Sequence, residues 1–317
     1  MDHIAEIVSR ILPIFFLLGL GNWIRHANFL PEATIEDLKK MTANLALPAV
    51  LFVSFLNTEL KIAYLAIFAL TFFVCVALLW LGKFLKRQRN IPHPYFPFLM
   101  TGFEYGMLGI SLFGSVYGLE NIGYIAVMDL GHEIFIWFVF LALLLKEREG
   151  IQDSGQLMRT FFKSPVVLGI LLGIALNVAG AQQFLYDFPI TAAVMTTLEY
   201  LANLTIPLIL IIIGYGIKFD RYGVKDASTV VLTRLAILIP LALFVNAILI
   251  RGLLQLGKPF EAALFTLFIL PPPFIIPLYI RPDLTDEKRY VNNVLTIYTI
   301  VSIAIFTVYL VLNPWGL

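Results

Sequence analysis

The sequence predicts an all-α polytopic membrane protein: ten transmembrane helices, disposed as two inverted five-helix repeats, with helices four and nine broken. Composition is the first ground. Hydrophobic residues make up 60% of the chain and charged residues 14%, with a mean hydropathy of +0.88. Soluble globular domains do not have that balance. The second ground is segmentation into apolar runs of about 20 residues, the length that spans a bilayer. They fall at 4–24, 34–57, 62–85, 95–116, 121–145, 164–181, 189–216, 227–250, 259–280 and 290–312. The third is internal similarity. Ala43-Asn44-Leu45-Ala46-Leu47-Pro48 in segment two is echoed by Ala202-Asn203-Leu204-Thr205-Ile206-Pro207 in segment seven. An odd number of spans per half inserts the second half upside down relative to the first.

Segment one follows Met1-Asp2-His3, without a basic n-region, and no small-residue cleavage site comes after it. It reads as a retained helix and not a signal peptide. Segment three holds Cys75, the only cysteine, so an intrachain disulfide and a thiolate metal cluster are both excluded. Segment four carries Met100-Thr101-Gly102-Phe103-Glu104-Tyr105-Gly106-Met107-Leu108-Gly109, and segment nine carries Leu270-Pro271-Pro272-Pro273-Phe274-Ile275-Ile276-Pro277. Proline removes a backbone donor and clashes with the preceding turn, and glycine weakens helix propensity. Irregular backbone at membrane depth survives only inside protein or along a cavity. Aligning Asp129 with Asn293 sets Met107 against Pro271 and Gly109 against Pro273, so the breaks occupy matching places in the halves. Paired breaks in inverted halves are the best sequence pointer to a transporter's binding site. The polar connection Lys146–Lys163 divides the repeats, 1–150 and 151–317.

Orientation follows from the basic residues. Of the 22 lysines and arginines, all but Arg10, Lys61, Arg251, Lys258 and the intra-span Arg234 gather on one face. That face is predicted to be cytoplasmic, which leaves both termini extracytoplasmic in a multi-pass plasma-membrane protein. Net charge is only +1, so global charge argues neither way on nucleic acid, and no nucleic-acid partner is expected. Trp23, Trp80 and Trp315 lie near span ends, as interfacial belt residues do.

Polar residues inside spans are the candidate site. A carboxylate at the depth of Glu104 is costly and by default functional; its structural reading is a buried neutral acid or a partner of Arg234. Asp129, His132 and Glu133 are spaced i, i+3, i+4 and share one face of segment five. They read as a proton or cation site, or as a hydrogen-bonded network joining helices. No second histidine follows at metalloprotease spacing, and no metal site is expected. Asn44 and Asn203 each precede a proline by four residues, and either support the kink or face cargo. Glu199 extends that polar stripe, with Thr205 a weaker candidate. Arg234 either snorkels to the interface or pairs with Glu104 or Asp129. Asn292 and Asn293 mirror Asp129 in the repeat and read as backbone-capping or ion-site residues near the second break. Tyr105 is the aromatic residue placed in the pocket, with Gly106, Gly109 and Pro271, Pro272 and Pro273 lining it.

These segments resemble the auxin efflux carrier family, related to the bile acid–sodium symporters. The resemblance covers nearly the whole chain. It is carried by Asn44-Leu45-Ala46-Leu47-Pro48, Gly106-Met107-Leu108-Gly109, Tyr117-Gly118, Ser164-Pro165-Val166-Val167-Leu168-Gly169, Leu204-Thr205-Ile206-Pro207 with Gly214, and the prolines of segment nine. It implies a core of segments three to five and eight to ten, in which broken helices four and nine cross. It also implies a scaffold of segments one, two, six and seven, elevator-like sliding of core on scaffold, and a homodimer through the scaffold. The family's segment four carries asparagine, Gly-x-x-Gly and then proline; here Glu104 and Ser111 stand at the outer two positions. Its typical cargo is a small organic anion. An ionised Glu104 repels an anion, so either the acid is protonated when cargo binds or the cargo is not an anion.

The expected function is secondary active transport of a small organic solute, a carboxylate or another small metabolite. The coupling ion is expected to be H+ carried by Glu104, with Na+ held by Glu104, Asp129 and Asn293 as the alternative; no other cofactor is expected. A transporter-like sensor is a further alternative, as is a channel, though nothing in the sequence resembles a selectivity-filter ring. An enzyme is not expected, because no metal-ligand spacing, nucleophile elbow or phosphate loop is present.

The charge asymmetry generates a direct test. With cysteine introduced by Asp2→Cys, Gly155→Cys or Leu317→Cys, an impermeant thiol reagent applied to intact cells is expected to label both ends and spare position 155. Labelling of position 155 alone would reverse the orientation.

Overall fold

The computed structural model describes residues 2–149, 159, 162–217, 223–281 and 283–313. Every regular element among the described residues is helical. Most of the Lys146–Lys163 connection, and Trp315, lie outside the described residues.

Seven helices are long and apolar enough to cross a membrane: Val8–His26, Glu32–Asn57, Ala63–Gln88, Leu119–Arg148, Pro189–Gly216, Val224–Leu253 and Thr285–Leu312. They correspond to segments one, two, three, five, seven, eight and ten. The remaining segments are shorter, for reasons their sequences supply. Segment six is the helix Pro165–Val178, started by proline at its first position after an extended Ser164, and it is followed closely by Gly180 at φ 66°. Segments four and nine are interrupted. Segment four is one turn, Phe96–Leu99, then an irregular stretch, then the helix Tyr105–Tyr117. Segment nine is the helix Lys258–Ile269, which stops where Leu270 turns extended at ψ 150°. The residue before a proline is pushed out of the helical region, and Pro271 follows. A short 3₁₀ turn, Ile276–Tyr279, completes it.

Proline within a long span is accommodated differently. In segment two a π-helical turn, Thr42–Ala46, lies just before Pro48, whose missing N–H leaves the Asn44 carbonyl without its usual partner.

Two packing groups emerge. In the first, segment one packs along segment seven, and segment two packs on both six and seven. Close backbone approach drives this: Gly21 abuts the Ile211 carbonyl, and Gly214 abuts the Leu18 carbonyl. On segment six, Gly169 and Gly173 sit over the carbonyls of Pro48 and Phe52. Small residues let helices touch where lipid supplies no hydrophobic drive to associate. Asn177 completes that contact by donating to the carbonyls of Phe55, Leu56 and Thr58, at 2.9, 2.8 and 2.8 Å. These carbonyls belong to the end of segment two, where helical partners run out. In the second group, segment five packs on three and nine, and eight packs on nine and ten. The interrupted stretches of segments four and nine are largely buried, with Gly106, Met107, Phe274 and Ile275 half-buried.

Candidate functional site

Helix interruption exposes backbone N–H and C=O groups that need partners, because unsatisfied polar groups in an apolar interior are costly. At the first break the chain turns on Gly102, at φ 70°, a conformation that side-chain-bearing residues rarely adopt. A Cβ at that position would also stand 2.8 Å from Pro273 of the second break. The two breaks are therefore in contact through backbone-level packing. Phe103 and Phe268 stack beside them with ring centroids 5.4 Å apart.

Glu104 joins the breaks. Its backbone N–H donates to the Pro271 carbonyl at 2.8 Å. Its side-chain Oε1 accepts from the Met107 N–H at 3.1 Å, and Oε2 accepts from the Phe274 N–H at 2.6 Å. One carboxylate thus caps the second half of segment four and holds segment nine at the same time. Only 9% of the residue is exposed.

Arg234 serves the opposite polarity. It is 0% exposed, and its guanidinium donates to the carbonyls of Leu99 at 3.0 Å, Thr101 at 3.3 Å, Gly102, and Leu270 at 3.5 Å. The rings of Phe103 and Tyr298 flank it, at 5.2 and 5.3 Å from their centroids. Neither sequence expectation for Arg234 holds. It does not snorkel, and among the described residues it makes no ion pair with Glu104 or Asp129. The carbonyls at the ends of two half-helices carry the partial negative charge that a carboxylate was expected to supply.

His132 completes the first break. Its Nε2 accepts from the Phe103 N–H at 2.9 Å, and its Nδ1 lies 2.7 Å from Asp129 Oδ1. An amide N–H can only donate, so Nε2 is unprotonated, and Nδ1 carries the proton that Asp129 accepts. Glu133 Oε1 takes the Trp137 indole N–H at 2.8 Å. Asp129, His132 and Glu133 present ligand-type atoms within 4.8 Å of one another. Both imidazole nitrogens of His132 are engaged in the hydrogen bonds to Phe103 and Asp129.

A sequence model of a family described as membrane transport proteins, the auxin efflux carrier-like family, matches residues 6–310. The chain belongs to that family. An uncharacterized transporter from Methanothermobacter thermautotrophicus is 26% identical over 241 residues, which cover 72% of this chain and 74% of the relative. The protein is accordingly a multi-pass membrane transport protein and not an enzyme.

In this transporter the candidate residues are distributed unevenly. Glu104, Tyr105, Gly109, Pro271, Pro272 and Pro273 are buried together at the meeting of the breaks, with Gly106 half-buried beside Leu47 of segment two. The Tyr105 hydroxyl is buried without a hydrogen-bond partner. Thr205 Oγ1 on segment seven is in the same condition. Asn44 and Asn203 are exposed, and Asn44 donates back to the Lys40 carbonyl at 2.8 Å. No hydrogen bond among the described residues joins Asn203 to the breaks. Glu199 accepts from the Tyr186 hydroxyl at 3.2 Å. Asn293 is buried on segment ten, while Asn292 is exposed. Sequence reasoning missed Ser302 and Thr101, whose hydroxyls donate to the Ile269 and Cys75 carbonyls at 2.6 Å each. A serine facing a proline-broken helix was the available signal for the first of these.

The relay through His132 predicts an order of damage. His132→Leu leaves the Phe103 N–H and the Asp129 carboxylate unpartnered, and is expected to cost about 1–3 kcal/mol for each such group. Asp129→Asn keeps an acceptor for Nδ1–H and is expected to cost less. Thermal unfolding of the purified variants checks the order, and equal midpoints for both would contradict it.

Proposed function

We propose that this transporter is an elevator-type secondary carrier that moves a small organic solute, a carboxylate or similar metabolite, across the plasma membrane in exchange for or together with protons. The reading takes the chain as two inverted five-segment repeats, 1–150 and 151–317. Segments three to five and eight to ten form the moving core, and segments one, two, six and seven form the scaffold through which a homodimer assembles. Both termini are extracytoplasmic. Support comes from the two packing groups and from interrupted helices in corresponding positions of the two halves, the construction in which carriers hold cargo at the repeat interface.

One observation carries the coupling: the Glu104 carboxylate accepts an N–H from each break. A proton on Oε2 turns that oxygen into a donor and leaves it a weaker, neutral acceptor for the Phe274 N–H. Protonation therefore loosens the link between segments four and nine, and deprotonation restores it. That gives a proton leverage over the geometry of the crossing itself. A neutral Glu104 also no longer repels an anionic cargo, so proton and anion favour each other's presence. The unpartnered Tyr105 hydroxyl supplies a polar group for cargo next to the same carboxylate.

The test uses proteoliposomes with a pH-sensitive dye inside and a panel of small carboxylates and amino acids outside. Wild-type protein is expected to move protons saturably in response to at least one solute. Glu104→Gln mimics the protonated acid and is expected to keep solute counterflow while losing its response to a pH gradient. Uptake that follows a sodium gradient and ignores a pH gradient would refute proton coupling.

A further inference from the structure

Arg234 has surroundings that resemble an ion site more than an ion pair. Its guanidinium is fully buried among backbone carbonyls from both breaks: Leu99, Thr101 and Gly102 from one, Leu270 from the other. Leu99 closes the half-helix Phe96–Leu99, and Leu270 follows the end of the half-helix Lys258–Ile269. Carbonyls at unwound backbone and at half-helix C-terminal ends are the groups with which carriers hold a coupling alkali cation. Hard cations take oxygen ligands of this kind. Here a side chain from segment eight delivers the positive charge instead, and two aromatic faces close the remaining sides.

We infer that Arg234 is a tethered cation: it fills the carbonyl-lined position at the crossing of the two breaks that a free alkali cation would otherwise take. The protein then carries its own charge there, and sodium has neither a vacancy to enter nor a role in holding the breaks together. The inference also fits a proton in the coupling role. With a permanent cation on the carbonyl side, the titratable groups left at the crossing are Glu104 and the His132–Asp129 pair, on the amide side. It rests on the carrier reading only where coupling is concerned. Its test reads protein stability, so it can fail while transport stands, and transport can fail while it stands.

The experiment compares thermal unfolding of purified protein in sodium chloride, guanidinium chloride and choline chloride, each at a few tens of millimolar and equal ionic strength. The wild type is expected to unfold at one temperature in sodium and choline. Arg234→Ala is expected to unfold at least about 5 °C lower in choline, since a loss of a few kcal/mol moves a protein of this size by that order. Guanidinium, and at higher concentration sodium, is expected to restore it saturably, a response that lost packing alone would not give. Arg234→Lys keeps a tethered cation and is expected to remain indifferent to sodium. A saturable, sodium-specific stabilisation of the wild type would overturn the inference. So would an Arg234→Ala variant as stable as wild type in choline, or one restored by neither cation. If Arg234→Ala fails to fold in every salt, Arg234→Lys decides: a folded, sodium-indifferent variant supports the inference, and a sodium-dependent or unfolded one overturns it.

Discussion

Everything at the centre of this protein follows from one constraint: backbone unwound at membrane depth must have a partner for each N–H and C=O it frees. Each unsatisfied group in such surroundings costs several kcal/mol, so a pair of broken helices is tenable only if other residues replace the lost helical bonds. They do so by polarity. Carbonyls of the breaks are taken by Arg234 and Ser302, and amides by His132, Glu104 and the Pro271 carbonyl. The interrupted stretches thereby regain part of the bonding that the broken helices lose, while the Tyr105 hydroxyl is left without a partner.

A consequence is that the two breaks behave as one body. Arg234 bonds to carbonyls on both, and Glu104 accepts amides from both. Neither segment can shift without disturbing the other or the helices that supply these side chains, segments eight and five. That cross-bracing ties segments four, five, eight and nine to one another at the breaks. The glycine-lined contacts of segments one, two, six and seven bind the other group by a separate set of close approaches. Glu104 thus stands as a structural joint, its carboxylate accepting one N–H from each break.

Much of this was legible in the sequence, for identifiable reasons. Gly102 and the run Pro271–Pro273 announce interruptions because their backbone chemistry opposes a helix wherever they occur. Glu104 and the Asp129–His132–Glu133 face stand out because polar groups are rare and costly in a span. What sequence could not show is which partner each polar group takes. Arg234 was expected to seek a carboxylate or the interface, since pairing by side-chain charge is the rule that residue types suggest; its actual partners are backbone carbonyls, which every sequence contains. The acceptor role of Glu104 toward Phe274 was hidden for the same reason, because an amide N–H carries no residue identity. Asn44 and Asn203 matched each other in sequence, yet both point to the exposed side of their helices, and periodicity alone does not fix which face a kinked span turns inward.

The direct measurement is amide hydrogen exchange across residues 100–109 and 268–276, followed by mass spectrometry in wild type and Glu104→Ala at one pH. If the breaks are bonded to each other, these non-helical stretches are expected to exchange slowly in the wild type, and Glu104→Ala is expected to release both together. Fast exchange of either stretch in the wild type, like that of a solvated loop, or release of one stretch alone in the variant, would contradict it.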